Sequence, residues 1–245
     1  MAFSRLDHEL VNRNLVDSRE LGKRLILAGK VTVNGHVIDK ASNKVKSDDV
    51  IKIKEAPKYV SRGGFKLEEA LKVFKVDPSG LICLDIGAST GGFTDCLLQH
   101  GAMKVHAYDT GTNQLSWKIR SDPRVISRER LNCRHLTNDD IEDKIDLIVI
   151  DVSFISLTKI LPAAHTVGSS NCSIITLIKP QFELSRDEVS KGGIVKDPEL
   201  HQKSISKIVN FATSELQLNH TETTNSPITG TGGNVEFLAH FIKNR

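Results

Sequence analysis

Only four cysteines, Cys83, Cys96, Cys133 and Cys172, occur in 245 residues, and no two of them form a Cys-x-x-Cys pair. That spacing excludes a zinc ribbon or a disulfide framework and fits a reducing cytoplasm. The histidines are scattered, so no metal site is expected. No apolar run approaches the roughly 20 residues of a membrane span. The first ten residues carry Arg5, Asp7, His8 and Glu9, which leaves no apolar leader core. A long basic amphipathic helix is missing as well, and this disfavours a membrane-lysing protein. The Gly-x-Gly-x-x-Gly fingerprint is absent, so a dinucleotide cofactor such as NAD is not expected.

What is present is a soluble composition, 39% apolar and 26% charged, long enough for one large or two unequal domains. The net charge of +3 is unevenly spread. Residues 1–60 hold 12 Lys or Arg against 8 Asp or Glu, whereas the rest of the chain is close to neutral. A small basic block ahead of a neutral body suggests a polyanion-binding attachment.

The body is organised around Leu81-Ile82-Cys83-Leu84-Asp85-Ile86-Gly87-Ala88-Ser89-Thr90-Gly91-Gly92-Phe93. An apolar run reads as a buried strand, breaks at Gly87, and passes through Gly91-Gly92 into a helical pattern. Strand, glycine turn and helix form the cofactor-binding corner of open α/β sheets, because glycine lets the backbone approach a ligand. A second strand ends at Asp109, 22 residues after Gly87, where an acid can grip ribose hydroxyls. This pattern resembles the S-adenosylmethionine site of Rossmann-like methyltransferases.

In the basic block, Leu6, Leu10 and Val11 have helical spacing, and Asp17 or Ser18 can cap a second helix that Gly29 ends. Val31-Thr32-Val33, Asn34-Gly35 and His36-Val37-Ile38 predict a hairpin, and residues 50–53 another strand. These elements, with "SRELGKRLILAGKVTVNG" (18–35) and "DDVIKI" (48–53), resemble the alpha-L RNA-binding motif. The resemblance implies a small α+β domain over 1–57 that holds structured RNA through Arg5, Arg19, Lys23, Arg24 and Lys30. Cations on a rigid helix suit phosphate contacts and shape readout. Residues 56–59, Ala-Pro-Lys-Tyr, read as the linker to a second domain at 58–245.

After a helical stripe at Leu67, Ala70, Leu71 and Phe74, strands are expected at 81–86, 104–109, 125–129, 145–151, 173–179, 218–224 and 234–242. Helices are expected at 93–100, 113–121, 157–166 and 199–216. The alternation predicts an α/β fold with a doubly wound, seven-stranded, mostly parallel sheet. Asp151 and Lys179 end buried strands, which puts them on the ligand-binding side.

Lys66 in "SRGGFKL", Asp151 in "DVSFISL", Lys179 in "LIKPQFE" and Glu236 in "GGNVEFLAHF" together resemble the Lys-Asp-Lys-Glu tetrad of FtsJ-like RNA ribose 2'-O-methyltransferases. With the N-terminal motif, nearly the whole chain resembles the TlyA-type, or hemolysin A, family of rRNA 2'-O-methyltransferases. The resemblance implies a Rossmann-like methyltransferase fold, S-adenosylmethionine as cofactor, and ribosomal RNA or ribosomal subunits as partners. It implies that Lys66, Asp151, Lys179 and Glu236 are catalytic, with Lys179 accepting or steering the hydroxyl proton. Burial or Lys66 would lower the pKa of Lys179 and the two acids would raise it, and the residues alone leave the balance open. Cofactor contacts are expected from Asp85, Gly87, Ser89, Gly91, Gly92, Phe93, Asp109, Asn132 and Asp151, with Asn132 near the adenine. Phe93 also reads as the first core residue of its helix. Arg62 joins the expected RNA contacts, and residues 230–234 read as a loop able to close over RNA.

The family's hemolysin name brings a second function class, membrane lysis, and a non-catalytic RNA-binding assembly factor is a third. Cofactor binding separates the third from an enzyme. No stable membrane association is expected. The modified nucleotide and the oligomeric state are not written in the sequence.

Overall fold

A computed structural model of the chain describes residues 3–54 and 57–244. Ala56 of the expected linker lies outside them. The chain divides into two compact units, Met1–Lys58 and Tyr59–Arg245.

In the first unit, β1 (Phe3–Arg5) leads into α1 (Leu6–Asn12), followed by α2 (Arg19–Leu27), β2 (Val31–Val33), β3 (His36–Val37), β4 (Lys44–Lys46) and β5 (Ile51–Ile53). Strands β3, β2 and β5 form one small sheet, and β1 pairs with β4. Ser18 caps α2, its hydroxyl accepting from the Leu21 amide at 3.2 Å. The Asn34-Gly35 turn has positive φ at both residues, as a primed hairpin turn requires. Leu6, Leu10, Ile26, Val31, Val45 and Ile51 make the core. Gly22 lets the helices touch, since a Cβ there would sit 3.3 Å from Leu10.

The second unit runs α3 (Gly63–Phe74), β6 (Ile82–Ile86), α4 (Gly92–Gln99), β7 (Lys104–Tyr108), α5 (Trp117–Arg120), β8 (Val125–Arg128), β9 (Ile145–Ile150), α6 (Leu161–Val167), β10 (Gly168–Ile178), α7 (Pro180–Glu183), α8 (Pro198–Ser214), β11 (Asn219–Asn225) and β12 (Phe237–Ile242). All seven strands form one sheet in the order β11-β12-β10-β9-β6-β7-β8. Only β12 runs against its neighbours; the other pairings are parallel. Strand β9 shows why the sheet is covered on both faces. Leu147 and Val149 join the core with α3 and α4, whereas Ile148 and Ile150 join the core with α6 and α8. The chain leaves β6 toward β7 and β8, then crosses back to β9, so the switch point lies between β6 and β9.

Some helices differ from expectation. The helix expected at 113–121 shortens to Trp117–Arg120: Asn113 takes a left-handed φ of 54°, and Ser116, the N-cap, has a non-helical ψ of 146°. The helix expected at 157–166 divides into a 3-10 turn, Leu157–Lys159, and α6, because Pro162 opens a new helix. Strand β10 starts at Gly168, ahead of the expected 173, with a register shift before Ser173.

Candidate active site

Strand β6 ends at Ile86, and Gly87 turns the chain with φ 86°. A Cβ on Gly87 would lie 2.4 Å from the Asp151 carbonyl oxygen, so only glycine fits there. Ser89 also has positive φ, 48°, a strain typical of ligand-binding corners. Asp109, just past β7, holds this corner: one oxygen accepts from the Ser89 amide at 2.8 Å, the other from the Gly111 amide at 2.6 Å. A cavity of about 560 Å³ opens over the switch point, lined by Gly87, Ser89, Asp109, Asn132 and Asp151, with apolar walls from Val152, Ile155 and Ile160. That volume lies within the roughly 300–1,000 Å³ of small-molecule sites. A carboxylate at the end of β7 beside apolar walls fits the polar and apolar parts of an adenosyl group, and the glycine turn leaves room for the rest of such a cofactor.

Four expected cofactor residues do not line this cavity. Asp85 is fully buried beneath the loop. It accepts from the Thr94 hydroxyl at 2.6 Å, and burial pushes its carboxyl up to about 7. Its position makes it a brace for the turn. Gly91 packs on Leu115 and Ile119. Gly92 admits Ser61, whose Oγ would lie 2.2 Å from a Cβ there. Phe93 belongs to the core shared with α3 and edges a second cleft.

That second cleft, about 280 Å³, shares Gly87, Ser89, Asp151 and Ser153 with the first and adds Arg62, Lys66 and Lys179. Lys66 stands in the first turn of α3, Asp151 follows β9, Lys179 follows β10, and Glu236 precedes β12. Reversal of β12 brings its start to the carboxyl ends of the parallel strands. Ile178 therefore pairs with Phe237, and Glu236 arrives beside Lys179 in the register. The four form two ion pairs. Lys66 Nζ lies 2.5 Å from Glu236 Oε2, and Lys179 Nζ lies 2.6 Å from Asp151 Oδ1. The second pair is a charge contact whose angles fall outside hydrogen-bond geometry, whereas Lys179 does donate to Ser153 Oγ at 2.9 Å. Lys66, Lys179 and Glu236 are 8%, 9% and 3% exposed, and buried charges persist only when paired in this way. Glu236 lines neither cavity, and Gly230 leaves room for its carboxylate.

The run at 230–234 is a folded turn. The Gly230 amide donates to the Asn234 carbonyl at 2.8 Å, and Asn234's side chain bonds Val195 N and Gly193 O. Sequence reasoning passed over Ser153, Arg134 and Phe154. Phe154 is 91% exposed, holds a left-handed φ of 63°, and lines the larger cavity. A bulky residue with that φ beside a strand-end acid is a structural signal, invisible in "DVSFISL".

In the first unit, Arg5 and Arg19 converge on fully buried Asp7, Nε to carboxylate at 2.9 and 2.8 Å. Hydrogen bonds from Arg5 and then Arg19 hold the Asp7 carboxyl well below the usual carboxylate range. Both guanidiniums stay about half exposed, with donors left over. Arg24 is exposed, and Lys23 and Lys30 are half-buried. Arg62 lies in the second unit, exposed at the edge of the smaller cleft.

Among the described residues, no helix is long and apolar enough to cross a membrane. Among the same described residues, no group of three or more His, Cys, Asp or Glu is placed to hold a metal.

Comparison with known proteins matches each of the two units to a family. The model of the FtsJ-like methyltransferase family matches residues 59–243, and that of the S4 domain matches residues 4–51. The chain is 47% identical over 243 residues to Hemolysin A of Brachyspira hyodysenteriae, covering 97% of this chain and 99% of that one. It is 42% identical over 237 residues to the 16S/23S rRNA (cytidine-2'-O)-methyltransferase TlyA of Mycobacterium tuberculosis, covering 96% and 88%. A solved Streptococcus thermophilus structure, provisionally described as a hemolysin, superposes with TM-score 0.76 at 43% identity, covering 100% of this chain and 90% of that one.

Proposed function

The chain belongs to the FtsJ-like methyltransferase family, and we propose that it transfers a methyl group from S-adenosylmethionine to a ribose 2'-hydroxyl of structured ribosomal RNA. The observation that carries this reading is the meeting of Lys66–Glu236 and Lys179–Asp151 at the cleft adjoining the cofactor-sized cavity. S-adenosylmethionine supplies an electrophilic methyl group on a sulfonium. Gly87, Ser89, Asp109 and Asn132 would hold it, with Asp151 at the boundary between cavity and cleft. A ribose hydroxyl is a weak nucleophile until its proton is withdrawn. Lys179 stands where it can take or steer that proton, oriented by Asp151 and Ser153. Glu236 holds Lys66, whose ammonium adds positive charge beside the developing alkoxide. The rest of the rate comes from fixing the hydroxyl in line with the methyl group. The exposed ring of Phe154 offers a stacking face for a base. The S4 domain, with Arg5, Arg19, Lys23, Arg24 and Lys30, would anchor the RNA by phosphate contacts. Acting on ribosomal RNA, the protein would work in the cytoplasm.

The test is incubation of the purified full-length chain with S-adenosylmethionine and ribosomal subunits, followed by mass mapping of the RNA. One added ribose methyl is expected. Cofactor binding with no methyl transfer to any ribosomal RNA would reject the reading. The relative called Hemolysin A gives membrane lysis a separate arm: release of haemoglobin by cofactor-free protein would establish it.

A further inference from the structure

The loop after β9 carries Asp151, Ser153 and Phe154, and the turn after β10 carries Lys179 and Phe182. Both sides of the reaction cleft therefore depend on how these two segments are spaced. One buried side chain ties them together. Glu183, at the end of α7, is 4% exposed. Its Oε2 accepts from the Ser156 hydroxyl at 2.5 Å and its Oε1 from the Leu157 amide at 2.8 Å. Lys207 of α8 approaches from the other side, 3.5 Å from Oε2, and its ammonium also donates to the Glu183 carbonyl.

A buried carboxylate is costly unless it accepts several hydrogen bonds, and burial pushes this carboxyl up. Those bonds hold the carboxylate four residues after Lys179, on the same turn. Above the staple, Phe154 and Phe182 meet ring to ring at 5.1 Å, and Lys179 meets Asp151 and Ser153. These contacts cross the same two segments that Glu183 joins.

Building on the activity proposed above, we infer that Glu183 is a positioning residue, a staple that sets the distance between the Asp151–Phe154 loop and the Lys179–Phe182 turn. It lines neither the larger cavity nor the reaction cleft. Loosening it lets the two arms drift, and a misplacement of about 1 Å costs on the order of 100-fold in rate.

The test compares Glu183→Ala with Glu183→Gln in the full-length protein. The glutamine carbonyl still accepts from Leu157 and its amide can donate to Ser156 Oγ. Glu183→Ala should lower the single-turnover rate about 10–100-fold while cofactor and RNA dissociation constants stay within about 3-fold. Glu183→Gln should restore the rate to within about 3-fold of wild type. A readout free of activity is amine acylation followed by mass spectrometry. Lys179, 9% exposed, should label several-fold faster in Glu183→Ala and unchanged in Glu183→Gln. If Glu183→Ala does not fold, Ser156→Ala removes one of the two loop contacts and leaves the Leu157 amide in place, and a smaller, about 3–10-fold loss of rate with unaltered cofactor binding is expected.

Unchanged rate and unchanged Lys179 labelling in a folded Glu183→Ala protein, or in Ser156→Ala where that one decides, would overturn the staple. So would a Glu183→Gln protein as slow as the alanine variant. A wild-type protein that moves no methyl rejects the proposed activity, while the labelling comparison still judges the staple.

Discussion

Gly87 and Asp151 touch across the switch point of the sheet: the Asp151 carbonyl oxygen occupies the space where a Cβ of residue 87 would stand, 2.4 Å away. The Asp151 amide donates back to the Ile86 carbonyl at 3.0 Å. Neither backbone can retreat without breaking the β6–β9 ladder. Gly87→Ala adds a left-handed strain to this collision. The variant should lose at least tenfold in S-adenosylmethionine affinity and several degrees in melting temperature. Calorimetric titration and a thermal melt read both, and wild-type values for both would mean that the loop relaxes elsewhere.

Asp85 makes stability depend on pH. Its folded-state carboxyl is pushed up to about 7 by burial, while in the unfolded chain it titrates near 4. Between those values the unfolded chain ionises this group and the folded chain keeps its proton. Its contribution to stability therefore falls as pH rises from about 4 to 7 and is level above. Asp85→Asn removes the titration and keeps an oxygen for Thr94. The gap between variant and wild-type melting temperatures should widen in the variant's favour from pH 4.5 to 7. A pH-independent gap would show that Asp85 is ionised at all these values.

The strands were legible because burial on both faces demands apolar runs, such as Ile145–Ile150. Asp151 and Lys179 were legible because a charged residue ending such a run has one side of the sheet to go to. Two classes of feature were not. The three-residue strands Phe3–Arg5 and Lys44–Lys46 are too short for a period to be read, and only their pairing makes them strands. Roles fixed by distant partners were also hidden. Lys66 finds Glu236 170 residues away. Gly92 serves Ser61, and the acid in "QFE" serves a loop 26 residues upstream.

Arg19 and Lys23 are expected to contact RNA phosphates, whereas Arg13 is committed to the fold. Its guanidinium donates to the carbonyls of Asp49, Lys46 and Ser47. Removing one phosphate contact lowers the slope of log affinity against log salt by about 0.7–0.9. Arg19→Ala and Lys23→Ala should each flatten the slope for ribosomal RNA by about that amount. Arg13→Ala should lower the melting temperature and leave the slope alone. If Arg19→Ala and Lys23→Ala bind with wild-type slopes, the phosphate contacts lie on other residues.

Lys179 allows the sharpest experiment. Strand β10 ends at Ile178 and Pro180 opens α7, so the sheet and the proline ring fix the backbone of Lys179 from both sides. Its amine is held 2.6 Å from Asp151 and 2.9 Å from Ser153 Oγ. Lys179→Ala should slow single-turnover methyl transfer by about 10²–10⁴, with cofactor and RNA binding within about 3-fold. Lys179→Arg keeps the positive charge, but a guanidinium does not give up its proton at these pH values. If Lys179 takes the hydroxyl proton, the arginine variant should be nearly as slow as the alanine one. If it serves as a fixed charge beside the developing alkoxide, the arginine variant should keep most of the wild-type rate. A rapid-quench assay at saturating cofactor and ribosomal RNA separates the two roles. An arginine variant near the wild-type rate would move proton removal to another group, and the carboxylate of Asp151, already at the boundary of the two cavities, would be next to test.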